Sequence, residues 1–269
     1  MAAHVDCSNS STKAGPTMQD LTPQLELCGA VATIQLHRPS VANRLEVLDI
    51  ECLSEHIRTV NAAKDVRVLR LRGTGKHFCS GFNITSVPGL DAGALFEALA
   101  DLLESARPVT IAEINGGVYG GATDLALACD FRLGLTRCEM FVPAARLGLH
   151  FYRGGLERFV SRLGLNIAKR VMLAGETLNA GQMLACGFLD HVYEGPTALT
   201  IAADALSEKL QDMAPQALLG MKQHLNAIAR NALDVQALNA DIAKSLASQD
   251  LSEGVQAWSD KRKPVFRGY

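Results

Sequence analysis

A chain of 269 residues, 48% hydrophobic and 20% charged, has room for one large core or a domain with an appendage. Its formal net charge of -2, with both signs spread along the chain, gives no electrostatic ground for nucleic acid or an anionic membrane as partner. No run of about eighteen apolar residues is present to span a bilayer, and seven cysteines without a Cys-x-x-Cys pair fit reduced thiols in a cytoplasmic protein and no metal site.

Residues 1–20 are rich in Ser, Thr and Ala and lack the apolar stretch of a signal peptide, so they are expected to form a disordered extension. Leu25 to Cys28 and Val31 to Leu36, split by Gly29-Ala30, predict a hairpin. Leu45, Leu48, Cys52, Leu53, Ile57 and Val60 keep to one helical face, and Val66 to Leu71 alternates as a strand. Phe78-Cys79 starts a short extended piece, and Leu95, Leu99, Leu102 and Leu103 mark a second helix. The pattern of strands followed by a helix recurs at Val109 to Ile114, and again at Phe131 to Leu135 and Met140 to Val142 ahead of the helical segment from Gly155 to Leu163. Beyond residue 196 only helical spacing remains, over Leu199 to Met213, Leu218 to Ala229, Val235 to Ala247 and Leu251 to Lys261. The expected organisation is an α/β core over 21–195 with a helical region over 196–269.

The segment Asn115-Gly116-Gly117-Val118-Tyr119-Gly120-Gly121-Ala122-Thr123-Asp124 stands out. It follows the apolar run Val109 to Ile114 and leads into Leu125-Ala126-Leu127, which predicts strand, tight turn and helix. Glycines at such a junction let backbone N–H groups approach a ligand at the positive end of a helix dipole, a place to hold negative charge. With neither a Lys-Ser/Thr pair after the glycines nor Gly-x-Gly-x-x-Gly spacing, an oxyanion is a better guest than a nucleotide phosphate.

Together with Gly75-Lys76-His77-Phe78-Cys79-Ser80-Gly81-Phe82-Asn83, the stretch from Gly175 to Leu189 and the ending Asp260-Lys261-Arg262-Lys263-Pro264-Val265-Phe266, this segment resembles the enoyl-CoA hydratase/isomerase (crotonase) superfamily from about Leu25 onward. The resemblance implies a spiral of ββα units, a C-terminal helical region that assembles homotrimers or hexamers, and an acyl-CoA thioester substrate of the kind met in fatty acid metabolism, with no separate cofactor. It implies that the N–H groups of Ser80 and Gly121 bind the thioester oxygen. Preorganised donors of that kind are worth roughly 3 to 4 kcal/mol each toward an enolate.

At the two glutamate positions of the hydratases this chain has Asp124 and, after Pro143, Ala144. Asp124 is a candidate acid/base, and also a residue type common in a first helical turn for capping reasons. His150 and Tyr152, in the loop that lines the acyl pocket in relatives, are candidates for the missing proton carrier, set against a plain aromatic cluster. His77 and Asn83 are weaker candidates near the first loop, and Glu157 and Arg158 are assigned to packing and ion pairing. Arg44, Lys261 and Trp258 are candidates for the CoA moiety, set against a solvated basic face. The alternatives are a malonyl-type acyl-CoA decarboxylase and a non-catalytic acyl-CoA-binding oligomer. The first rests on Gly116 to Ala122 and the Lys-Arg-Lys-Pro-x-Phe ending, although the tyrosine of such decarboxylases falls at Phe151 here.

Overall fold

The computed structural model describes residues 22–83 and 92–268, so the extension expected over 1–20 lies outside the described residues. The hairpin forms as β1 (Gln24–Cys28) and β2 (Val31–Leu36), turned at Gly29, whose φ of +58° suits glycine. Helix α1 (Val47–Ala62) follows and buries Ile50, Leu53, Ile57 and Val60. Then come β3 (Val68–Gly73), β4 (His77–Cys79) and α2 (Ala92–Glu104), and after them β5 (Val109–Ile114), β6 (Gly117–Tyr119) and α3 (Gly121–Leu127). The third such unit is β7 (Phe131–Leu135), β8 (Glu139–Phe141) and α4 (Arg153–Leu163).

Each of these three units gives its first strand to one sheet and its second to another. The larger sheet has the order β1-β2-β3-β5-β7 and closes with β10 (His191–Tyr193); the smaller has the order β4-β6-β8 and closes with β9 (Leu178–Asn179). All neighbours from β2 to β10 are parallel, as are β4, β6 and β8. This is the expected spiral of ββα units. Central β5 is buried at all six positions, which explains its near-continuous apolar run. Its buried Glu113 is answered by Arg70 of β3, with Nε to Oε1 at 2.6 Å.

The glycine segment differs from the sequence expectation of a bare turn, because Gly117–Tyr119 is itself a strand. A side chain at Gly116 would place its Cβ 1.8 Å from the Lys76 carbonyl oxygen, so only glycine lets the chain pass from one sheet to the other there. Three residues are too few to show a period.

Helices α5 (Leu165–Met172) and α6 (Ala180–Ala185) connect α4 to the closing strands, and α7 (Pro196–Gln211), α8 (Pro215–Ala229), α9 (Val235–Leu246) and α10 (Gln249–Ser259) complete the chain. The first of these last four lies on the larger sheet and buries Leu199, Ala203 and Leu210 in the common core. Helices α8 to α10 instead leave Met221, Leu225, Ile228, Ile242, Leu246 and Val255 exposed. Among the described residues no helix is long and apolar enough to cross a membrane.

Candidate active site

The loops that follow β4 and β6 meet at Gly81. Its φ is +86°, and a Cβ there would lie 2.9 Å from the Tyr119 carbonyl oxygen and 3.1 Å from the Gly121 nitrogen, so glycine is what lets the two loops touch. Buried Asn43 fixes the approach to this loop. Its Nδ2 donates to the carbonyls of Thr74 (2.8 Å), His77 (2.9 Å) and Phe78 (3.1 Å), and its Oδ1 accepts from Arg38 N–H at 2.8 Å.

The hydrogen bonds of the first loop correct one donor. Ser80 N–H is spent on the Ala42 carbonyl at 3.0 Å, so it is not free to bind a ligand. Leu45 N–H donates to Gly81 O at 2.8 Å and Asn83 N–H to Leu45 O at 2.9 Å, which pegs the backbone on both sides of Phe82. The Phe82 N–H between them has no partner among the described residues. In the second loop Gly120 N–H donates to Phe141 O at 3.0 Å, and its carbonyl accepts from Thr123 N–H and Oγ1 at 3.1 and 2.6 Å. Gly121 is the first residue of α3, where the N–H has no helical acceptor and lies at the positive end of the helix. The two unpaired N–H groups flank Gly81, and they belong to Phe82 and Gly121.

Asp124 lies one turn into α3 and is completely buried. Arg158 of α4, also fully buried, grips it with both arms of its guanidinium, Nε to Oδ1 at 2.6 Å and Nη2 to Oδ2 at 2.7 Å. The Tyr152 hydroxyl donates to Oδ2 at 2.8 Å. Burial and then the Asp124 carboxylate hold the Tyr152 phenol far above its ordinary range, so it stays neutral. Burial works against the Arg158 charge, but Asp124 and the Asp101 and Glu104 carboxylates outweigh it and raise its pKa. The network continues outward: Arg158 Nη1 reaches Asp101 (2.6 Å) and Glu104 (3.2 Å), and Arg230, just past α8, holds Asp101 at 2.8 Å and Glu157 at 2.8 Å.

An aromatic wall joins the two halves. Phe96 of α2 comes within 3.0 Å of where a Gly121 Cβ would stand, and its ring centroid is 6.5 Å from that of Phe82 and 6.3 Å from that of Tyr152. Phe151 stacks on Tyr152 at 4.6 Å. His150, by contrast, is exposed, with Nδ1 against the Phe151 carbonyl at 2.7 Å, so the structure does not bring it to Asp124. Ala144 is buried at the head of a short turn after Pro143 and supplies no polar group. His77 packs its ring 5.8 Å from Tyr119, and Asn83 Nδ2 donates to both Glu46 oxygens.

The basic candidates are at the surface. Arg44 is exposed and paired with Glu46 at 3.2 Å. Lys261, just past α10 with φ of 54°, is exposed and has no carboxylate partner among the described residues, and Trp258 nearby is 88% exposed.

The family model for enoyl-CoA hydratase/isomerase matches residues 26–269. The chain belongs to the enoyl-CoA hydratase/isomerase family. An enoyl-CoA isomerase/hydratase of Mycosarcoma maydis is 32% identical over 263 residues, which cover 90% of this chain and 94% of that protein. A carnitinyl-CoA dehydratase of Proteus mirabilis is 29% identical over 253 residues, 89% of this chain and 96% of that one. The crystal structure of an enoyl-CoA hydratase from Bacillus anthracis superposes with a TM-score of 0.85 at 25% identity, covering 92% of this chain and 100% of that chain. Both Asp124 oxygens are engaged, Oδ1 by Arg158 and Oδ2 by Arg158 and Tyr152, whereas a general base needs a lone pair facing the proton it removes.

Arg158 forms ion pairs as the sequence reading expected, with partners that reading did not name. The free N–H of Phe82, two residues beyond Ser80, and the placements of Asn43 and Glu97 carried no local pattern.

Proposed function

We propose that this protein binds an acyl-CoA with the thioester oxygen between the N–H groups of Phe82 and Gly121 and stabilises the enolate that forms when the bond at the α-carbon breaks. The observation that carries this is the pair of unpaired N–H groups meeting across Gly81, one of them at a helix N-terminus. As the α-carbon loses a proton, the electron pair moves toward the thioester oxygen, and fixed donors in a site walled by Phe82, Phe96 and Tyr152 meet that charge without solvent reorganisation. Tyr152, held by Asp124, presents a neutral hydroxyl beside the reacting carbons, where it orients substrate and supports proton transfer.

A second reading, loss of carbon dioxide from a malonyl-type acyl-CoA, is favoured by the engagement of both Asp124 oxygens and by Ala144. There the breaking carbon–carbon bond supplies the electron pair, and no base is required. Lys261, with no carboxylate partner among the described residues, is the cation we assign to the CoA phosphates, with Trp258 beside it and Arg44 as a lesser contributor. The exposed apolar residues of α8 to α10 support assembly into a homotrimer or hexamer, which light scattering would measure.

Incubation with enoyl-, β-hydroxyacyl- and malonyl-CoAs in deuterated water, followed by mass spectrometry, tests the reading. Water addition, double-bond migration or α-carbon deuteration supports proton-transfer chemistry, and carbon dioxide release supports the second reading. Binding without turnover or exchange across the panel overturns both.

A further inference from the structure

Resting on the enolate reading, removal of an α-proton needs a base, and the residues expected to supply one do not. Asp124 has both oxygens engaged, Ala144 carries no polar group, and His150 is exposed in its loop. Beside this cluster lies Glu97 of α2, the residue after Phe96 in the chain, with its carboxylate at Gly154. Its Oε1 accepts the Gly154 N–H at 2.5 Å, two residues along from Tyr152 and at the first turn of α4. That bond fixes the carboxylate in place. A Cβ at Gly154 would stand 3.0 Å from Glu97 Oε1, 2.9 Å from Asp101 Oδ1 and 3.4 Å from Arg158 Nη2, the nitrogen that holds Asp124. Glu97 is therefore in the same cluster as the Tyr152–Asp124 pair. Its other oxygen has no partner among the described residues, and the residue is only partly buried.

We infer that Glu97 is the proton carrier of this site. Its carboxylate takes a proton from the acyl chain: the carbon–hydrogen bond breaks, an oxygen–hydrogen bond forms, and the electron pair passes to the thioester oxygen held by Phe82 and Gly121. The proton then returns from Glu97 to the same carbon or to one further along the conjugated enolate, so no oxidant, reductant or second reactant is consumed. A single carboxylate that takes and returns one proton suits exchange and double-bond migration better than hydration, which needs water activation as well. The charged and titratable groups around Glu97 are Tyr152 at the N-cap of α4, Arg153 and Arg158 from α4 and Asp101 on its own helix, with Asp124 of α3 reached through Tyr152 and Arg158.

Glu97→Gln separates chemistry from architecture, because the amide oxygen still accepts the Gly154 N–H while the base is lost. We expect α-carbon deuteration and double-bond migration to fall by about 100-fold or more, with the melting temperature kept and the carboxylate limb of the wild-type pH–rate profile gone. Glu97→Asp is expected to retain part of the rate and the limb. Exchange by Glu97→Gln within about threefold of wild type, with the limb intact, overturns the assignment. A wild-type protein that releases carbon dioxide from malonyl-type CoAs but exchanges no α-proton overturns it while leaving the enolate reading standing. A wild-type protein inert toward the whole panel overturns both.

Discussion

The proposed thioester cradle and the proposed proton-handling side of this site are built from different materials. The cradle is main chain: two N–H groups, brought together because Gly81 has no side chain and because Leu45 pegs the backbone around Phe82. The other side is made of side chains from three helices, with Asp124 of α3, Tyr152 and Arg158 at and within α4, and Asp101 and Glu104 of α2. Main-chain donors survive almost any change of side chain that spares the glycines, so the proposed cradle tolerates substitution that the side-chain network beside it does not. On that side the one carboxylate of α3 is held by an arginine and a tyrosine hydroxyl.

The sharpest way to test that distinction is Arg158→Met. It leaves Asp124 buried and unpaired, and breaking a buried ion pair from one side costs about 3–5 kcal/mol. The melting temperature is expected to drop by roughly 10 °C. Adding Asp124→Asn to the same chain removes the stranded charge and is expected to recover part of the loss, because Glu104 keeps Arg162 and Arg230 as partners. No recovery in the double variant, read by thermal melting, would mean that Arg158 matters through Asp101 and Glu104 and not through the site.

Gly81→Ala probes the main-chain half. The new methyl would sit 3.1 Å from the Gly121 nitrogen on a backbone with φ of +86°, so it blocks the cradle and strains the loop together. Turnover is expected to fall by about 10²- to 10³-fold, with a smaller loss of stability than Arg158→Met, since left-handed strain costs about 1–2 kcal/mol. Steady-state kinetics beside thermal melting would show whether the two halves separate as described. A variant with normal kcat and a collapsed melting temperature would erase the contrast.

Tyr152→Phe removes the hydroxyl and keeps the ring against Phe96 and Phe151. A loss of about 10²-fold in proton exchange is expected, with substrate affinity kept. The pH profile carries its own sign. Burial and Asp124 raise the folded pKa of this phenol above the unfolded value, so its stabilising contribution is complete below about pH 10 and is lost as pH rises through the folded value. Wild-type activity should therefore show no inflection from Tyr152 below that pH. An alkaline inflection near pH 8 that disappears in Tyr152→Phe would contradict the neutral phenol.

The two halves also differ in how far they can be read from sequence. Gly81, Gly120 and Gly121 mark the cradle because a turn with close backbone approach leaves a local signature, and the ββα order follows from short apolar runs broken at glycines. The free N–H of the first loop falls at Phe82 and not at Ser80, because which N–H stays free depends on bonds to Ala42 and Leu45, far away in the chain. Strand β6 was hidden inside its glycines for want of length. On the other side nothing local foretells that Asp124 pairs with residues 28 and 34 positions away, or that Glu97 on an ordinary amphipathic helix ends up beside Tyr152. Tyr152 and Asp124 were found as residues; their relation was not.

His150→Ala should have the smallest effect. The imidazole is exposed and bonds to the carbonyl of the next residue in its own loop, so its removal strands no buried partner and opens no cavity. Substitutions of this kind usually change stability by less than about 0.5 kcal/mol, and an effect of that size on the barrier is about twofold in rate. Deuterium exchange within about twofold of wild type is the expected outcome. A loss above about tenfold would mean that the loop folds over the bound acyl chain and brings a second ionisable group to the reacting carbons. The proton-handling side would then be completed by substrate and not by the fixed helices, and the division between a preformed cradle and a preformed proton site would have to be redrawn with only the cradle preformed.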